Sequence, residues 1–131
     1  MWDVGVDIVE IDRFRRIIQS GNRRFYERIF TPREIEYCLS FKDPSRHFAS
    51  TFAGKEAVYK ALNKYLDVKL SEIEILRDEN GAPQVRLKID GDDFKNRGIS
   101  PLEVKLSLSH SSSYAIAFAV VRSGGLSADT R

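Results

Sequence analysis

The hydrophobic period of this chain changes near its midpoint, and that change restricts the fold more than any single motif. From Asp12 to about Lys64 apolar residues recur every three or four positions, as they do along helices. From Glu72 onward they alternate or run together, as they do along strands. Ahead of the helical half, Val4, Val6 and Ile8 alternate with Gly5, Asp7 and Val9, which predicts a half-buried first strand whose polar face carries Asp7. A helix follows from Asp12 until Gly21-Asn22 break it, and NRRFYERIF is helical again. Thr31-Pro32-Arg33-Glu34 is a capping box with proline at the first helical position. The next helix runs from about Ser45 to Lys64, with Phe48, Phe52, Ala53, Ala57, Ala61 and Leu62 available for burial. EIEIL, DENGAP and QVRLKI make a hairpin. EVKLSLS resumes the alternation after the short segment DDFKNRG. The continuous YAIAFAVV implies cover on both faces, by helices or by another subunit.

A chain of 131 residues with 42% hydrophobic content supports one core and one domain, taken here as residues 1–122, with 123–131 a loose tail. Twenty-one basic residues nearly balance nineteen acidic ones, so the net charge of +2 gives no global case for nucleic acid. No apolar run approaches the roughly 20 residues that span a bilayer. The first residues lack the pattern of a signal peptide, and the single Cys38, assigned to packing, cannot form an internal disulfide. The expected compartment is the cytoplasm, with no membrane partner.

Three groups carry chemistry. Glu56 and Lys60, four apart on a helix, share one face. Alone, such a pair is a surface contact worth about 0.3 kcal/mol. Asp7 changes its meaning if the first strand packs beside this helix, because magnesium is held by one or two carboxylates, several waters and substrate phosphate oxygens. Lys60 then neutralises a phosphate oxygen. The second group is SLSHSSSY, which puts His110 at a strand end among hydroxyls suited to phosphate or ribose, or else to an ordinary turn. His47 and Cys38 lack zinc spacing. The third group is basic: Arg13, Arg15, Arg16, Arg23, Arg24 and Arg28 face only one acid, Glu27, between positions 13 and 28. This patch suits an acidic protein surface better than RNA, since few aromatics flank it for base stacking.

Taken in order, Gly5-Val6-Asp7-Ile8-Val9-Glu10, Phe52-Ala53-Gly54-Lys55-Glu56-Ala57-Val58-Tyr59-Lys60 and Ser107-Leu108-Ser109-His110-Ser111 resemble the holo-acyl-carrier-protein synthases, the small type of 4'-phosphopantetheinyl transferase. The resemblance spans nearly the whole chain. It implies an α+β fold with a small antiparallel sheet packed with helices, assembled as a homotrimer. It also implies transfer of phosphopantetheine from coenzyme A to a serine of apo-acyl carrier protein, in support of fatty acid biosynthesis, with release of adenosine 3',5'-bisphosphate. By the same resemblance Asp7 and Glu56 ligate Mg2+, while Lys60 and Lys55 offset charge on the diphosphate. The serine proton passes either to Glu56 or to a metal-bound water. Ser109, His110 and Ser111 contact the nucleotide, and Arg13, Arg16, Arg23, Arg24 and Arg28 dock the carrier protein. Relatives often carry arginine immediately before the central motif, where this chain has Thr51, and Arg46 is the candidate substitute. Gly54 also replaces the usual alanine, which signals close approach at that point.

Overall fold

The computed structural model describes residues 1–89 and 102–123. In chain order these form strand β1 (Trp2–Glu10), helices α1 (Ile11–Gln19), α2 (Arg23–Ile29), α3 (Pro32–Leu39) and α4 (Pro44–Leu62), and strands β2 (Ile73–Arg77), β3 (Pro83–Leu87), β4 (Leu102–His110) and β5 (Tyr114–Ser123). The architecture is α+β. The segment DDFKNRG and the tail from Gly124 lie outside the described residues.

The strands make two antiparallel sheets instead of one. β1, β5 and β4 pair in that spatial order, and β2 pairs with β3 as a separate hairpin. In the larger sheet Asp7 lies opposite Ala117, and Ser109 lies opposite Ile116. Helix α4 lies against β1 and β5. It buries Phe48, Ala49, Ala53, Ala57, Val58, Ala61 and Leu62, which give it apolar surface on several sides. Four phenylalanines from two helices and a loop close the core: Phe14 meets Phe52 at 5.3 Å between ring centroids, and Phe30 meets Phe48 at 5.0 Å. Each buried ring contributes about 2–3 kcal/mol of apolar burial.

Helix ends follow local chemistry. The Asn22 side chain accepts from Phe25 N at the start of α2. Thr31 Oγ1 accepts from Glu34 N, and Glu34 Oε1 accepts from Thr31 N, so the capping box is complete.

The first strand packs with its faces exchanged relative to the sequence expectation. Val4, Val6 and Ile8 are 53–62% exposed, while Gly5, Asp7 and Val9 face α4. Gly5 explains why: a Cβ there would meet Ala57 C and Ala61 N at 3.0 Å, so only glycine lets the α4 backbone come this close. A Cβ at Gly54 would meet the side-chain ends of Leu106 and Leu108 of β4, at 3.2 Å and 3.3 Å, a looser approach than that at Gly5. Strand β5 alternates too. Ala115, Ala117, Ala119 and Val121 are buried, while Tyr114, Ile116 and Phe118 are 42–48% exposed. Among the described residues, helices cover one face of YAIAFAVV and leave the other open.

Candidate active site

The close approach at Gly5 carries Asp7, two residues further along β1, to the flank of α4. Lys60 reaches back across the junction. Its Nζ donates to Asp7 Oδ1 at 3.1 Å and to Val6 O at 3.0 Å. The third ammonium proton has no acceptor among the described residues. Asp7 is mostly shielded, with 17% of its side chain exposed, whereas Lys60 is 49% exposed. Glu56 sits one turn before Lys60 on the same helix face. It is half-buried and makes no hydrogen bond or ion pair among the described residues. Burial pushes its carboxyl above the usual range, Asp7 pushes it further, and Lys60 and Arg13 pull it back.

Two like-charged carboxylates are therefore held as neighbours, with oxygens left unpaired. That donor set fits magnesium. Asp7 and Glu56 would supply the one or two carboxylates it takes, with waters and a substrate phosphate as its other ligands. No group of three or more His, Cys, Asp or Glu among the described residues offers a closed protein cage for another metal.

Lys55 does not join this site. It adjoins Glu56 in sequence, but a one-residue step turns a side chain about 100° around a helix. The ammonium lies fully buried, 2.6 Å from Glu34 Oε1 and 2.7 Å from the Ile73 carbonyl oxygen. Glu34 Oε2 accepts from Ile75 N at 2.7 Å, so the ion pair ties α3, α4 and β2 together. Burial pushes Glu34 up and Lys55 down, each restrained by the other's charge. Thr31 donates its hydroxyl to Glu74 Oε2, and Glu74 Oε1 is buried without a partner among the described residues. The phosphate role that the motif suggested for Lys55 is replaced by a bracing one.

The expected nucleotide residues divide. Ser109 stands on the open face of β4, and His110 ends that strand. Ser111 Oγ accepts from Ser113 N at 3.2 Å and Tyr114 N at 3.1 Å, which commits it to the turn between β4 and β5. Thr51 is buried, with its hydroxyl 3.8 Å from Cys38 Sγ. Cys38 itself is a packing residue whose thiol burial pushes up to about 12. Arg46 is exposed in the first turn of α4 and ten residues before Glu56, about 15 Å along the helix. Sequence spacing gave no sign of two further members here. His47 stacks on Phe41 at 3.6 Å, and the Arg77 guanidinium lies 5.5 Å from the Tyr37 ring centroid. Burial lowers the His47 pKa first, and the charges of Arg46, Arg77 and His110 lower it further. A cationic group thus forms from α4, β2 and β4, elements too far apart in sequence for any spacing rule to join.

The arginine patch is partly neutralised from within. Arg15 pairs with Asp12 and, at 2.9 Å, with Asp43; Arg16 pairs with Glu10 at 3.4 Å, and Arg23 with Glu27 at 3.5 Å. Arg13, Arg24 and Arg28 have no ion-pair partner among the described residues. Arg24 and Arg28 line one shallow hollow with Asn22 and Phe25.

A family model described as the 4'-phosphopantetheinyl transferase superfamily matches residues 3–119. The holo-[acyl-carrier-protein] synthase of Ruminiclostridium cellulolyticum is 43% identical over 124 residues, covering 92% of each chain. Among solved structures, the Chronobacterium ammoniagenes ACPS–CoA complex superposes with a TM-score of 0.79 at 29% identity, over 94% of this chain and 98% of the other. The Helicobacter pylori holo-[acyl-carrier-protein] synthase in complex with coenzyme A gives 0.73 at 33% identity, over 91% and 99%.

Proposed function

The chain belongs to the 4'-phosphopantetheinyl transferase superfamily and is an enzyme of that family, and from this we propose that it transfers 4'-phosphopantetheine from coenzyme A to a serine of apo-acyl carrier protein. The observation that carries the reading is the junction of β1 and α4, where Lys60 Nζ bonds Asp7 one turn beyond the unpaired Glu56. The serine oxygen attacks the phosphorus that bears pantetheine. The bond to the second phosphate breaks, and adenosine 3',5'-bisphosphate leaves. Asp7 and Glu56 would hold Mg2+, which supplies positive charge to the coenzyme A diphosphate. Lys60 orients Asp7 and offers its remaining proton to a phosphate oxygen as charge moves onto the leaving group. Either Glu56 or a water on the cation would take the serine proton.

The other assignments follow from the same reading. The group around His47 and His110 is assigned to the nucleotide, with Arg46 and Arg77 in place of the arginine that relatives carry where this chain has Thr51. Arg13, Arg24 and Arg28 receive the acidic carrier protein, and the product serves fatty acid biosynthesis. The transferase domain is residues 1–122, a span the family match over 3–119 supports. The bare face made by Val6 and Ile8 of β1, paired with Phe118 and Ile116 of β5, supports a homotrimer that buries it. No helix among the described residues is long and apolar enough to cross a membrane, which accords with a cytoplasmic enzyme.

The deciding experiment mixes this protein with coenzyme A, Mg2+ and apo-acyl carrier protein and weighs the carrier. A gain of one phosphopantetheine is expected. No gain, with a carrier that a known synthase modifies, refutes the reading.

A further inference from the structure

Arg13 differs from the other arginines of the patch in where its guanidinium rests. The guanidinium carbon lies 5.5 Å from the ring centroid of Phe52 on α4 and 5.9 Å from that of Phe14 on α1. Those rings touch each other, so Arg13 lies on an aromatic shelf shared by the two helices. Phe52 is one turn before Glu56, on the same face of α4. Arg13 is exposed toward the side where the carrier protein is proposed to dock, and it makes no ion pair among the described residues.

Glu56 needs such a neighbour. It has no hydrogen bond among the described residues, Asp7 on β1 repels it, and Lys60 on its own helix is committed to Asp7 and the Val6 carbonyl. Arg13, laid on Phe52 one turn away on the same face of α4 and without an ion pair among the described residues, is the cation that neither Asp7 nor the Val6 carbonyl engages. We infer that Arg13 is the positioning residue for Glu56: its guanidinium, laid on Phe52, draws the carboxylate toward the α1 side, where the carrier serine arrives. One residue then belongs both to the dock and to the support of the reacting site. Carrier binding would be felt at Glu56 through Arg13, in a way that Arg24 and Arg28 on α2 cannot reproduce. This rests on the proposed transferase reading.

The test compares R13Q with R24Q by steady-state transfer from coenzyme A to apo-acyl carrier protein, and titrates Mg2+ into each protein calorimetrically without carrier. R24Q should act through the KM for carrier. R13Q should raise that KM and also lower kcat at saturating carrier about fivefold. Its Mg2+ affinity should hold or tighten, by about twofold, because a nearby positive charge is gone and Glu56 settles onto the cation. Arg13 is exposed, so the melting temperature of R13Q serves as the control for folding. An unchanged kcat in R13Q overturns the inference. So does an equal kcat loss in R24Q, which would make Arg13 one docking charge among several. A kcat loss accompanied by weaker Mg2+ binding would mean general damage to the site, and overturns it too. If wild-type protein transfers nothing, the functional reading itself has failed, an outcome separate from all of these.

Discussion

Replacing Lys55 with methionine isolates the buried ion pair, because methionine keeps the apolar stem and removes only the charge. In the wild type Lys55 stands between two buried carboxylates, bonded to Glu34 at 2.6 Å and acted on by the charge of Glu74. Without it Glu34 keeps its bonds from Thr31 N and Ile75 N but carries an uncompensated charge in a site with no measurable exposure of its side chain. Breaking one side of a buried pair typically costs about 3–5 kcal/mol. A domain of this size has about 5–15 kcal/mol in total and an unfolding entropy near 0.28 kcal/mol/K, so a loss of about 4 kcal/mol lowers Tm by roughly 15 °C. The loss also depends on pH. Glu34 has a folded pKa raised above its unfolded value, so its stabilising contribution is present below the unfolded pKa and lost as pH rises through the folded one. Deleting Lys55 removes a charge that restrained this rise, so the K55M deficit grows from pH 5 to pH 8, by about 1.4 kcal/mol for each pH unit between the folded-state Glu34 pKa of the wild type and the higher one of K55M. Urea unfolding at both pH values measures it. A deficit below about 1 kcal/mol, or one equal at pH 5 and pH 8, would refute the assignment of Lys55 to bracing.

Glu56→Gln should reduce kcat at least about a hundredfold while moving Tm by no more than ~1 °C, since Glu56 makes no hydrogen bond among the described residues; a large Tm change would show it to be structural. Gly5→Ala should destabilise the chain by about 2–3 kcal/mol, because the new methyl meets the α4 backbone, and thermal unfolding of the purified variant checks this. Phe118→Asp, which charges the bare face of β5, should convert a trimer to monomers in sedimentation velocity; a wild type that sediments as a monomer at micromolar concentration would contradict the assembly.

Local chemistry was legible where short-range rules act alone. The capping box at Thr31, the extent of α4 and the hairpin around DENGAP all depend on neighbours within a few residues, and all appear as read. The faces of β1 were not legible. Valine and isoleucine at positions 4, 6 and 8 ask for burial, yet the chain's own helix takes the Gly5 side, because backbone proximity outweighs side-chain area there. Lys55 was misread for a related reason. Motif residues are consecutive in sequence, but helical rotation sends Lys55 to the core and Glu56 to the junction with β1. Glu34 was legible as a cap; its second duty toward Lys55 depends on a partner 21 positions away. Asp7, Glu56 and Lys60 came together as expected because one strand-to-helix contact was enough to join them.

The contact between Gly5 and Ala57 works as a ruler. Asp7 lies two residues past one end of it, and Glu56 lies one residue before the other. The separation of the two carboxylates is therefore recorded in main-chain atoms, which do not change when side chains do. The α3 side of the core can drift in composition without altering the main-chain spacing from which Asp7 and Glu56 project. A designer who wanted to move Asp7 and Glu56 apart would begin at Gly5, where one added carbon widens the gauge, and would leave the two carboxylates alone.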